Sequence, residues 1–239
     1  MMRYVLTALI LLTLNGSAQA QNDVLTLNER AVESMESGQP DSAYYYLFQA
    51  IKEDSTFYGT HYNLGVLNRD MGKTEEAIIN FTKTISLNDK DTISYMNRGI
   101  IHAKLHNYEL ATADFIRVTK LDPRNKEAFL NLGIIDNVLS RLPESEERFL
   151  KCLELDTNYH SAMFELAKTY IEQQKFDTAF SLLNKAILLC ATKPEYFELR
   201  AIMNQMKGDK KSSCKDMETA FKLGSVDEVI HRIYSRECN

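Results

Sequence analysis

Four cysteines, five histidines and several acidic pairs are the side chains with which this 239-residue chain could do covalent, metal or acid–base chemistry. His102 and His106 are four residues apart, the helical spacing at which two imidazoles can share a metal ion. No cysteine or acid stands at a spacing that would complete such a site, so both read as surface histidines near a turn. His61, His160 and His231 are isolated. Glu75-Glu76 and Glu144 to Glu147 fall at expected helix starts, where carboxylates suit the helix dipole. Cys152 and Cys190, which parallel second helices should hold apart, read as buried, inert thiols rather than a second bridge or a redox pair, and no C-x-x-C motif argues otherwise. No nucleophile elbow, phosphate loop or zinc helix occurs. The sequence therefore implies no catalytic residue, no metal site and no cofactor.

What recurs instead is an amide. Asn63, Asn97 and Asn131 stand 34 residues apart, within NLGVL, NRGII and NLGII. An asparagine side chain offers both a donor and an acceptor, the complement of a peptide group, so a row of them could hold an extended backbone without demanding a sequence.

The elements that must position this row follow the same period. Glycine (9) and proline (4) are scarce, and aliphatic residues, Glu and Lys are plentiful, which predicts an all-α chain. A 34-residue frame starting at Val24 restarts at Tyr58, Thr92, Lys126, His160 and Pro194 without insertion. One column holds Ala31, Gly65, Gly99, Gly133, Ala167 and Ala201; a second, twelve residues on, holds Ala43, Ala77, Ala111, Ser145, Ala179 and Ser213. Small residues in both allow two antiparallel helices to approach closely. Four residues further lie Leu47, Phe81, Phe115, Phe149, Leu183 and Met217, on the same helical face. Three beyond these are Ala50, Thr84, Val118, Cys152, Ala186 and Ala220, completing a ridge for the next module. Turn formers such as Ser37-Gly38-Gln39-Pro40, Met71-Gly72-Lys73 and Lys207-Gly208-Asp209 separate the two helices of a unit.

Period, paired helices, small columns and Pro123 after a helix end together resemble the tetratricopeptide repeat family, over Val24 to about Ser225. The family's aromatic opening position is degenerate here, filled by Leu27, His61, Tyr95, Phe129, Met163 and Phe197, and tryptophan is absent. The resemblance implies a right-handed superhelix, or α-solenoid, of six hairpins whose first helices line a concave groove. Gly65, Gly99 and Gly133 would then point at the partner helix and Asn63, Asn97 and Asn131 into the groove. Tyr62, Met96, Leu130 and Phe164 run beside the amides, with Val66, Ile100 and Ile134 a turn further on. These ten residues form the expected peptide-binding groove. An alternative is that the apolar members only contact adjacent first helices. The carboxylate clamp of some relatives does not carry over: its places hold Tyr62, Val66, Asn97, Glu127 and Asn131, and only Asn97 fits.

The expected organisation is a signal peptide over 1–20, a repeat array over 21–227 and a capping helix over 228–239. The cap places Val229, Ile230 and Ile233 on one side. Cys214 and Cys238 fall level in an antiparallel pairing of cap and last repeat helix, so they either bridge or remain two unpaired thiols with a fraying cap. Small exported bacterial repeat proteins often end in a similar cysteine-bearing tail, which favours the bridge.

Arg3, an apolar run from Tyr4 to Leu14 and Ala18-Gln19-Ala20 match a secretory leader with a small-x-small cleavage site after Ala20. The run is too short to span a bilayer, so no membrane insertion is expected after cleavage. Residue 21 is Gln, which leaves no lipid-modified cysteine. Without Arg3 the balance is 27 basic (28 − 1) against 33 acidic, or −6, which disfavours nucleic acid. The expectation is a noncatalytic scaffold, exported to a bacterial periplasm or secreted, that binds an extended or helical segment of another envelope protein. The alternatives are a self-associating spacer of an envelope complex, a chaperone-like assembly factor for exported proteins, and a hydrolase or redox activity hidden on the helices.

Overall fold

A computed structural model of the chain describes residues 23–238, all helices and turns. The expected leader lies outside the described residues. The chain divides into two compact units, the first ending at Asp122 and the second beginning at Pro123.

The first unit holds α1 (23–36), α2 (Pro40–Glu53), α3 (Tyr58–Asp70), α4 (Thr74–Leu87), α5 (Thr92–Lys104) and α6 (Tyr108–Leu121). The second holds α7 (Lys126–Val138), α8 (Leu142–Leu155), α9 (His160–Glu172), α10 (Phe176–Leu189), α11 (Pro194–Met206), α12 (Lys210–Lys222) and α13 (Glu228–Glu237). From α3 onward every first helix begins on the frame position read from the sequence.

The helices start and stop for local reasons. Asp91, Asn125, Asp209 and Asp227 each accept a backbone N–H three residues on, capping α5, α7, α12 and α13. Proline occupies the first turn of α2, α8 and α11, where its missing N–H costs nothing. Each first helix ends in one left-handed residue: Gly38, Gly72, His106, Ser140, Gln174 and Gly208, with φ of 67, 72, 60, 57, 61 and 79°. The next N–H then bonds back to the carbonyl five residues earlier, as in Lys73 N to Asn68 O at 2.8 Å and Lys175 N to Tyr170 O at 2.7 Å. His106 therefore lies beyond the end of α5 and not one helical turn along it from His102. The two imidazoles do not form the shared face that their spacing suggested.

All four periodic columns are buried. A Cβ on Gly65, Gly99 or Gly133 would meet the ring of Phe81, Phe115 or Phe149 at 2.7, 2.8 and 2.6 Å, so these hairpins close on the missing methyl group. Leu67 buries itself among Ala31, Ala43 and Leu47 of the preceding hairpin, and Ile101 against Ala77 and Phe81. In the second unit one cluster runs from Phe149 through Leu166, Leu183 and Tyr196 to Ala220.

A polar column threads the last turns of the first helices: Ser34, Asn68, His102, Asp136, Tyr170 and Asn204 are all buried. Most are answered from the facing helix. Asn68 Oδ1 accepts from Tyr44 Oη at 2.5 Å, Tyr170 donates to Glu146 at 3.0 Å, and Asn204 donates to Asp216 at 3.0 Å. Burial raises the Asp136 carboxyl above its usual range, while Arg148 and Arg141 at 3.9 and 3.8 Å act the other way. His102 is thus a core residue, a departure from the surface position expected for it. Burial also lowers its basicity, and its Nδ1 has no hydrogen-bond partner.

Two registers carry the same ion-pair device. Arg98 clamps Asp114 with bonds of 2.9 and 2.7 Å and donates to Thr82 at 2.9 Å. Arg200 clamps Asp216 at 2.8 and 2.7 Å and donates to Asn184 at 2.8 Å.

α13 covers the end of the second unit. Ile230 is buried with Ala201 and Met217, and Ile233, Tyr234 and Phe221 pack around them. Val229 is exposed, so the cap's apolar side is narrower than expected. Cys214 and Cys238 stand at disulfide distance, with sulfurs 1.95 Å and Cα atoms 5.7 Å apart.

Candidate protein-interaction surface

All ten residues of the expected groove, in either unit, are half-buried, neither sealed in the core nor fully in water. For the three asparagines helical periodicity explains this: two positions before a sealed Gly, a side chain is rotated away from the hairpin contact but still leans on its neighbours.

In the first unit Tyr62, Asn63, Val66, Met96, Asn97 and Ile100 share this face. The Tyr62 ring lies 6.1 Å from that of Phe81, and its burial raises the phenol above its usual range. Asn63 donates to Asn28 Oδ1 at 2.9 Å, while Asn28 donates to Val24 O at 2.9 Å and to Thr60 at 2.8 Å. Asn97 donates to Ile93 O at 2.9 Å, and its carbonyl is held by Arg69. The amides are therefore anchored, but unevenly: Asn97 has lost its acceptor to the chain itself, which the sequence reading did not foresee.

In the second unit Asn131 donates to Glu127 O at 2.8 Å. Leu130, Ile134 and Phe164 pack against the core cluster with part of their surface. Phe164 stacks on Tyr196 at 4.5 Å, and Lys168 lies 5.5 Å from its ring. His160 Nδ1 lies 2.8 Å from Tyr196 Oη. These apolar residues thus do both jobs that sequence reading posed as alternatives: one side packs, the other stays open.

A hollow of about 490 Å3 opens between α1 and α3. Tyr62 and Asn63 line it together with Leu25, Asn28, Glu29, Val32, Glu33, Phe57 and Gly59. Its α1 wall was missed, although Asn28, Glu29 and Val32 stand one period before Tyr62, Asn63 and Val66.

The two free thiols differ in their surroundings. Burial pushes the Cys152 thiol up to about 12. Cys190 differs from expectation: it is only half-buried at the end of α10, and hydrogen bonding to Thr192 lowers its thiol below the usual range. Among the described residues no group of three or more His, Cys, Asp or Glu could hold a metal ion, and no helix is long and apolar enough to cross a membrane.

A tetratricopeptide repeat model matches residues 58–91, 93–125 and 160–193. The matched stretches are tetratricopeptide repeats, and with its hairpins in phase the chain folds as the all-α solenoid of that family. Solved structures of the same fold include PilF of Pseudomonas aeruginosa, at a TM-score of 0.77 and 16% identity over 91% of this chain and 99% of that one. A tetratricopeptide repeat protein from Parabacteroides merdae aligns at 0.65 and 20% identity over 91% and 100%. YrrB, described as having an unusual peptide-binding site, aligns at 0.61 and 16% identity over 79% and 97%. No curated protein matches the sequence. At these identities the likeness concerns the fold.

Proposed function

We propose that the chain is a noncatalytic scaffold that binds extended or helical segments of partner proteins on its first-helix face, and that it works in the bacterial cell envelope after export. The observation that carries this reading is the half-buried state of all ten face residues, beside periodic columns that are sealed. Apolar surface left open next to anchored amides suits recognition of a polypeptide, whose backbone bonds and side chains need both. A fold neighbour with a described peptide-binding site is in keeping with this. Export rests on the leader-like composition of residues 1–20 alone.

Replacing Asn63, Asn97 and Asn131 by Ala tests the surface. Partner capture from cell extract should fall while helicity, read by circular dichroism, stays unchanged. Undiminished capture would count against it.

Self-association is the second reading, favoured by Tyr45, Phe48 and Ile79, which leave large apolar surface exposed on α2 and α4. Sedimentation at several concentrations separates a spacer of this kind from a monomeric adaptor.

A further inference from the structure

Resting on that reading, we infer that the hollow between α1 and α3 takes an apolar side chain of a partner segment that carries a lysine or arginine beside it. The walls supply the apolar half. Leu25 and Val32 are 42% and 38% exposed, and with Phe57 and Tyr62 they leave about 490 Å3 uncovered, room for a large aliphatic or aromatic side chain.

The rim supplies the charge. Glu29 and Glu33 are four residues apart on α1, and neither carboxylate has an ion pair among the described residues. Arg30, the cation between them in sequence, is turned to the Tyr46 ring at 5.9 Å. At the register of Glu33 the later first helices carry Leu67, Ile101, Ile135, Thr169 and Met203, all buried. α1 has no earlier hairpin to cover this position among the described residues, so the acid stays open to a ligand.

Asn28 cannot supply the missing donor, because its amide nitrogen already serves Val24 and Thr60. A cation from the partner is what the rim lacks, and it selects against acidic segments by repulsion. With a net charge of −5 two copies of the chain repel each other overall, which favours a segment of a different protein as the occupant over a second copy.

Panning a phage-displayed random dodecapeptide library on the immobilised full chain tests this, followed by fluorescence anisotropy with the recovered peptides. The expected result is enrichment of an apolar residue next to Lys or Arg, with binding weakened about tenfold in E29Q/E33Q and further at high salt. Both substitutions are on exposed sites, so circular dichroism should show unchanged helicity. Peptides that bind without a basic residue, or bind E29Q/E33Q as well as the parent, would overturn the inference and leave the scaffold reading standing. Recovery of no binding peptide would overturn both.

Discussion

Gly133 and Phe149 are shaped to each other: a methyl group on the glycine would lie 2.6 Å from Cε1 of the buried ring. The same holds for Gly65 with Phe81 and Gly99 with Phe115. Where the large residue is Leu47, Leu183 or Met217, the small one is Ala31, Ala167 or Ala201. Each hairpin thus balances volume across its crossing.

Gly133→Ala should therefore destabilise the protein. Overpacking against a sealed ring costs about 1–3 kcal/mol, of which better helix propensity returns at most about 1 kcal/mol. Adding Phe149→Leu should recover part of the loss, because it recreates the Ala and Leu pairing of the hairpin at Ala167 and Leu183. Urea denaturation of both single variants and the double variant reads the coupling, and additive losses would refute volume matching.

Ser140 and Gln174 hold left-handed backbone, with φ of 57 and 61°, where three other repeats use glycine. Ser140→Gly or Gln174→Gly should each stabilise by about 0.5–1 kcal/mol, because relief of the backbone strain exceeds the extra entropy glycine gains when unfolded. A raised urea midpoint is the expected reading.

His102 should make stability fall in mild acid. Burial lowers its folded pKa below the ordinary 6.5, so above that value both states are neutral and stability is full. As pH falls through 6.5 the unfolded chain binds a proton that the folded chain resists, and stability drops until the folded pKa is reached. Asp114 is the acid that limits the shift. His102→Asn copies Asn204, which donates to the equivalent Asp216 at 3.0 Å, and should flatten the profile between pH 7 and 5. Urea midpoints across that range check it.

Cys214 and Cys238 enclose a sequence separation of 24 residues. A bridge across it contributes about 3 kcal/mol in the chain-entropy account. Cys214→Ser/Cys238→Ser should lower the melting temperature and leave the α13 amides the least protected in hydrogen exchange. Melting and exchange unchanged from the oxidised parent would contradict the staple.

Period and packing were legible because stacking allows little freedom: an unbroken 34-residue phase fixes which positions are sealed, whatever their neighbours. Burial within the last turn of a first helix was not legible. There a polar side chain survives if the facing helix answers it, as Tyr44 answers Asn68, and that pairing depends on the hairpin's depth. Likewise the backbone register, rather than residue type, sets the left-handed position, so the sequence placed His106 at the surface near a turn but did not show its left-handed backbone. The Arg98 to Asp114 clamp was readable only beside its copy at Arg200 and Asp216. The face residues are half-buried, and the bond that occupies the Asn97 carbonyl comes from Arg69, one hairpin earlier and off the repeated pattern.

The most direct test of the interaction surface is photo-cross-linking in living cells with p-benzoylphenylalanine at Tyr62 or Met96, compared with Ile79 on α4. The account predicts partner adducts, identified by mass spectrometry, from Tyr62 and Met96 and not from Ile79. Adducts from Ile79 alone would contradict it.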